Sequence, residues 1–305
     1  MTNVPASLPS PWPAARDSAP LAAAITRAAS TQSYYTIRLL ADRDRRADAY
    51  RAYAYFRWAD DRVDDPMTAP AERTAFLNRQ HSLLAAGYRG RMPGELCPEE
   101  QLLAELIAGD DEAASGLQTY LRHMMAVMAC DVARRGRLIS AAELAEYERL
   151  LASAVMEALL HFIGHGTDAP AGEARYAAVR GACVVHMLRD LVEDVGNGYV
   201  NVPAEYLAAR GVTAIDPDDP AIRDWARQRL ALARDCFREG WAYIARLPNR
   251  RLRLAGYAYV ARFEYVARLI ERDGYRLRAA YPERKSAASA LWLAGRTLSY
   301  EVNHE

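Results

Sequence analysis

The chain has 305 residues, 51% of them hydrophobic, and its 39 basic and 39 acidic side chains give a formal net charge of zero. That length can bury a sizeable core, while the balanced charge offers no electrostatic footprint for a nucleic-acid partner. Cys97, Cys130, Cys183 and Cys236 lie far apart with no CxxC pair, so neither a zinc site nor a disulfide framework is expected.

Unpaired cysteines fit a reducing cytoplasm. No apolar run reaches the length needed to cross a bilayer, and the N-terminus lacks a basic-then-apolar signal pattern. A soluble, cytoplasmic protein is expected, with peripheral contact at a membrane surface left open and oligomeric state unspecified. Nearly every cation is Arg, Lys285 being the lone lysine. Ala and Leu dominate and β-branched runs are scarce, which predicts an all-α fold.

Residues 1–18, rich in Pro, Ala and Ser, read as a flexible lead-in, and residues 19–305 as a single helical domain. A helical pattern begins at Pro20 and is broken by the cap-forming run Thr31-Gln32-Ser33-Tyr34-Tyr35. A long helix follows over residues 42–64, stopping near Pro66, then another over 68–90. Further helices fit 98–108 and 112–135. Ser140-Ala141-Ala142-Glu143 is a capping box, and the helix it starts carries an apolar stripe from Tyr147 to Phe162. Helices are expected over 172–195, briefly after Pro203, and over 221–245, 250–274 and 286–299.

Two of these helices carry unusual chemistry. In Arg57-Trp58-Ala59-Asp60-Asp61-Arg62-Val63-Asp64-Asp65, spacings of three and four put Arg57, Asp60, Asp61 and Asp64 on one face, with Asp65 on the next row. Such runs are commonly solvated surface. Here Tyr50, Tyr53 and Ala54 extend the same stripe, so aromatic and apolar groups lead straight into the acids. Crowded carboxylates repel unless a cation neutralises them, and oxygen ligands favour Mg²⁺, with Mn²⁺ an admissible substitute. The second helix repeats the pattern with His186, Arg189, Asp190, Glu193 and Asp194. If the two helices face one another across a cavity, their acids can hold several Mg²⁺ ions against a diphosphate. Apolar and aromatic walls would then shelter a carbocation, which suits the ionisation of prenyl diphosphates.

The chain resembles the squalene/phytoene synthases. Ser33-Tyr34-Tyr35, Arg38-Leu39-Leu40 and Ala52 to Asp64 follow the family's first motif, and His186 to Asp194 with Gly198 to Pro203 its second. Met128 to Asp131 and Tyr147 are similar to its mid-chain acid and tyrosine. The resemblance implies an isoprenoid-synthase-type helical bundle with a central cavity. It also implies Mg²⁺-dependent head-to-head condensation of two prenyl diphosphates through a cyclopropylcarbinyl diphosphate, toward a squalene- or phytoene-like product as in carotenoid biosynthesis. By position, Asp60, Asp64, Asp190 and Asp194 would bind metal, with Asp61, Glu193 and His186 in support. Arg57 and Arg189 would hold diphosphate oxygens, and Ser33, Tyr34 and Tyr53 would bind substrate. Tyr147 would sit beside the reacting carbons.

Some positions depart from the family pattern. His186 replaces an Asn, Cys183 a Gln, Tyr199 an Arg and Asn201 a Tyr, while Ser153 and Met156 replace glycines and should narrow or reshape the cavity. Prenyl chain length and NADPH use stay open. A terpene synthase ionising a single prenyl diphosphate and a non-catalytic relative are the competing readings.

Overall fold

The computed structural model describes residues 17–65 and 67–302. Among the described residues there are twelve α-helices and one 3₁₀ turn, and the β-bridge Leu138–Val200 stands alone. The all-α expectation holds. The chain divides into two compact units, Met1–Leu121 and Arg122–Glu305.

In the first unit, α1 (Ala19–Ala29), α2 (Thr31–Leu40), α3 (Arg46–Asp64), α4 (Pro70–Gly87) and α5 (Pro98–Ala108) precede the start of α6 (Gly116–Arg134). α3 packs against α1, α2 and α5, burying Ala52, Tyr55, Phe56, Ala59 and Val63. A polar thread crosses this core. The Tyr55 hydroxyl donates to Gln80 Oε1 at 3.0 Å, and Gln80 Nε2 donates to Glu100 Oε1 at 3.0 Å. Tyr55, Gln80 and Glu100 therefore each meet a partner.

Two expectations are corrected here, and the end of the lead-in is described. Thr31 to Tyr35 is the first turn of α2 rather than a break, because Ser30 is the cap and its Oγ accepts from the Ser33 N–H at 3.1 Å. The long helix begins at Arg46, not residue 42. Of the lead-in, residues 1–16 lie outside the described residues, but Ser18 is buried and donates to Glu105 Oε2 at 2.6 Å. Arg51 reaches Asp17 at 3.0 Å and Glu105 at 2.9 Å.

The second unit takes the rest of α6 and adds α7 (Ala141–Phe162), α8 (Ala174–Gly196), α9 (Ala204–Arg210), α10 (Pro220–Ile244), α11 (Arg250–Arg272), a 3₁₀ turn (Pro282–Lys285) and α12 (Ala287–Val302). The Ser140–Glu143 capping box starts α7 as the sequence predicts. α8 is the centre of the unit, packed on α7, α10 and α11. Its approach to α10 is close because of two glycines. A Cβ at Gly240 would lie 2.5 Å from Ala178 Cβ, and one at Gly181 would lie 2.8 Å from the Phe237 ring. α12 is held by the Trp241 and Tyr300 rings, stacked 3.7 Å apart.

Candidate functional site

The first acidic stripe occupies the last two turns of α3. Arg57 donates to Asp61 Oδ2 at 3.1 Å, makes a second, very short contact to Asp61 Oδ1, and lies 3.4 Å from Asp60 Oδ2. Burial and then the charge of neighbouring Asp64 raise the Asp60 carboxyl, Arg57 opposing. Its side chain is still 53% exposed, so surrounding protein thins its hydration without sealing it. Asp65 does not join the stripe. It caps the following turn, accepting from the Met67 N–H at 2.9 Å and the Thr68 hydroxyl at 3.3 Å.

Nearer the start of α3, Tyr34 stacks on Tyr50 with centroids 5.3 Å apart, and the Tyr50 hydroxyl donates to the Tyr34 carbonyl at 3.1 Å. Ser33 is half-buried in the first turn of α2. Tyr53 is half-buried on α3.

The second stripe lies in the last turns of α8. Burial works to raise Asp190, but bonds from Arg189 (Nε to Oδ1, 2.6 Å) and His186 (Nε2 to Oδ2, 3.0 Å) outweigh it and hold the carboxyl well below its usual range. Asp194 moves the other way. Burial, then the charges of Asp190, Asp131 and Glu193 against that of Arg134, push it up to about 7. Glu193 is exposed.

The loop after α8 is tied to the loop after α6. Gly198, at φ +87°, offers its carbonyl to the Gly136 N–H at 2.8 Å, and the Ile139 carbonyl accepts from the Ala204 N–H at 2.8 Å. This pairing brings Asn201 to α6, where its carbonyl accepts from Arg134 while its amide donates to Asp194 Oδ2 at 2.8 Å. Arg134 also bonds Asp131 at 2.8 Å, and the Tyr147 hydroxyl donates to the other Asp131 oxygen at 3.1 Å. Burial and the adjoining Asp131 carboxylate raise the Tyr147 phenol well above its ordinary value. A cleft of about 370 Å³ between α6 and α7 opens onto Tyr147, Arg134 and Cys130.

The second unit therefore brings His186, Arg189, Asp190, Asp194 and Tyr147 into one neighbourhood, and the first brings together Arg57, Asp60, Asp61 and Asp64. Arg134 and the role of Asn201 escaped the sequence reading. The i, i+3 pair Asp131–Arg134 was the available signal, and Asn201 stood out only as a departure.

Among the described residues no three His, Cys, Asp or Glu side chains are gathered as a ready-made metal shell. The donor chemistry nevertheless fits a hard divalent ion. Both stripes sit at helix C-termini, where the macrodipole adds negative potential, and α8 has no basic residue in its last turn. Asp60 and Asp194 are each raised in part by a like charge four residues away. Acids crowded in this way gain from an added cation.

Ser153 and Met156 are buried, and Ser153 Oγ meets His123 Nδ1 at 3.0 Å. A gap of about 20 Å³ lies beside Met156, among Tyr259, Val260 and Gly256. The cysteines are unpaired, Cys183 and Cys236 buried, Cys97 and Cys130 partly so. Burial raises all four thiols.

Comparison with known proteins adds the family. The family model described as squalene/phytoene synthase matches residues 26–288. A presqualene diphosphate synthase of Rhodopseudomonas palustris is 29% identical over 187 residues, a match spanning 61% of this chain and 63% of that relative. Among solved structures, a squalene synthase from Alicyclobacillus acidocaldarius is similar with a TM-score of 0.68 at 19% identity, over 86% of this chain and 95% of that one. A dehydrosqualene synthase crystallised with a ligand is similar with a TM-score of 0.70 at 16% identity, over 94% of this chain and 96% of that one. At these identities the structural likeness speaks for the fold alone.

Proposed function

The chain belongs to the squalene/phytoene synthase family, and from that premise we propose that it condenses two prenyl diphosphates head to head in an Mg²⁺-dependent reaction. The observation that carries this reading is the pair of acid-tipped helices, each with a carboxylate raised by a like neighbour and each with an Arg beside the acids. In this reading both acidic stripes are required for the same ionisation step.

Asp60, Asp61, Asp64, His186, Asp190, Glu193 and Asp194 would hold Mg²⁺ or Mn²⁺, which when bound neutralises charge building on a departing diphosphate. Arg57 and Arg189 now neutralise Asp61 and Asp190, and on substrate binding would turn to diphosphate oxygens. Ser33, Tyr34 and Tyr53 would close over the first substrate. Breaking its C1–O bond leaves an allylic cation, which the double bond of the second substrate attacks. Loss of a proton then gives a cyclopropylcarbinyl diphosphate. Tyr147 keeps its proton and, anchored to Asp131, sits to orient the reacting end.

The curated relative is named for a presqualene diphosphate, which supports the cyclopropylcarbinyl diphosphate as a released product. The buried Met156 side chain, where the family pattern has a glycine, supports a second reading, a terpene synthase acting on one prenyl diphosphate. No described helix is long and apolar enough to cross a membrane. A cytoplasmic enzyme meeting the membrane surface to collect or release its lipids suits Leu291 and Leu298, which are exposed on α12.

Purified protein incubated with Mg²⁺ and C10, C15 or C20 diphosphates, with and without NADPH, tests the reading. Pyrophosphate release with chain-doubled products supports it, and NADPH dependence separates a hydrocarbon from a retained diphosphate. Single-chain products would support the terpene synthase. No pyrophosphate with any substrate would contradict both.

A further inference from the structure

One buried cation outside the acidic motifs ties the end of α8 to its neighbours. Arg134, 7% exposed, uses its guanidinium in two directions, toward Asp131 on its own helix and toward the Asn201 carbonyl in the loop after α8. The Asn201 amide passes the connection to Asp194, and Tyr147 joins at the far end through Asp131. An unbroken chain, Tyr147–Asp131–Arg134–Asn201–Asp194, thus links α7, α6, the loop and α8.

Two features make this chain directional. The guanidinium lies 4.9 Å from the Tyr147 ring centroid and 5.1 Å from that of Tyr199, so rings on two elements limit its motion. Because Arg134 offers only donors, it claims the Asn201 carbonyl and turns the amide NH₂ toward Asp194. A buried ionic network is a poor source of net stability. Its evident yield is geometric, the fixing of one Asp194 oxygen relative to Tyr147.

We propose that Arg134 and Asn201 are positioning residues that set the Asp194 carboxylate for holding a divalent cation against diphosphate. This inference rests on the function proposed above. It assigns work to two residues that no acidic motif contains.

The test is Mn²⁺ binding, followed by electron paramagnetic resonance in the presence of inorganic pyrophosphate and without prenyl substrate. Asn201→Leu and Arg134→Leu should each weaken Mn²⁺ binding about 10- to 100-fold, with helicity by circular dichroism unchanged. Arg134→Lys should behave like Arg134→Leu, since an ammonium cannot span both partners. The double variant should be no weaker than the worse single one, because both act through one chain. Folded Asn201→Leu binding Mn²⁺ within about two-fold of wild type would overturn the proposal, as would penalties that add or a wild-type protein that binds no Mn²⁺. Should Arg134→Leu fail to fold, Asn201→Leu decides alone, since it leaves the Asp131–Arg134 pair in place. Failure of the prenyltransferase reading would look different, with Mn²⁺ bound normally and no pyrophosphate released from any prenyl diphosphate.

Discussion

Asp190 and Asp194 stand one turn apart on α8 and their carboxyls are driven in opposite directions. Arg189 and His186 bond Asp190 and hold its negative form. At Asp194 burial, and after it the charges of Asp190, Asp131 and Glu193, outweigh Arg134, so its proton is retained up to about pH 7. A carboxyl freed by unfolding titrates near 4. Between about pH 4 and 7 the folded, metal-free protein therefore binds more protons at this site than the unfolded chain. Its contribution to stability is present at the acid end of that window and is lost as pH rises. Urea unfolding of metal-free wild type and Asp194→Asn should show the wild type losing stability relative to the variant from pH 4.5 to 7.5. A difference that stays flat or grows with pH would contradict the assignment.

At the scale of elements, much was legible because caps and spacing are local. The Ser140–Glu143 box sets the start of α7 within a residue, and Asn249, whose Oδ1 accepts from the Leu252 N–H at 3.1 Å, does the same for α11. Thr31 to Tyr35 misled because Ser and Thr serve both as caps and as first-turn residues, and only the geometry assigns the cap to Ser30. Arg134 was illegible for another reason. Its partner Asn201 is 67 residues away, and it is reached through pairing of two loops that no periodicity announces. Close packing of α8 on α10 is equally non-local. In an isolated helix Gly→Ala gains about 1 kcal/mol, but at Gly240 the new methyl would meet Ala178 backbone at 2.6 Å, where no side chain can swing away. Overpacking costs about 1–3 kcal/mol and should win. Gly240→Ala is expected to lower the melting temperature, whereas Gly295→Ala, with nothing within 4 Å, should leave it level or raise it. The reverse order would contradict the close approach.

For the whole molecule, sequence patterning pointed to an all-helical chain with two acidic stripes on long helices; the stripes end α3 and α8, with Asp65 turned away to cap the next turn. What patterning could not supply is the state of those acids, since Arg57 and Arg189 on the same helices already engage Asp61 and Asp190. Nor could it say that Ser153 and Met156 are both buried. The central proposal is that each acidic stripe is required for release of diphosphate. Pyrophosphate release from a C15 diphosphate with Mg²⁺, compared among wild type, Asp60→Ala and Asp190→Ala, tests it most directly. Each substitution alone should reduce turnover by at least about 10³-fold, as expected for groups stabilising charge only in the transition state, with helicity retained. Turnover at the wild-type rate in either variant would contradict it.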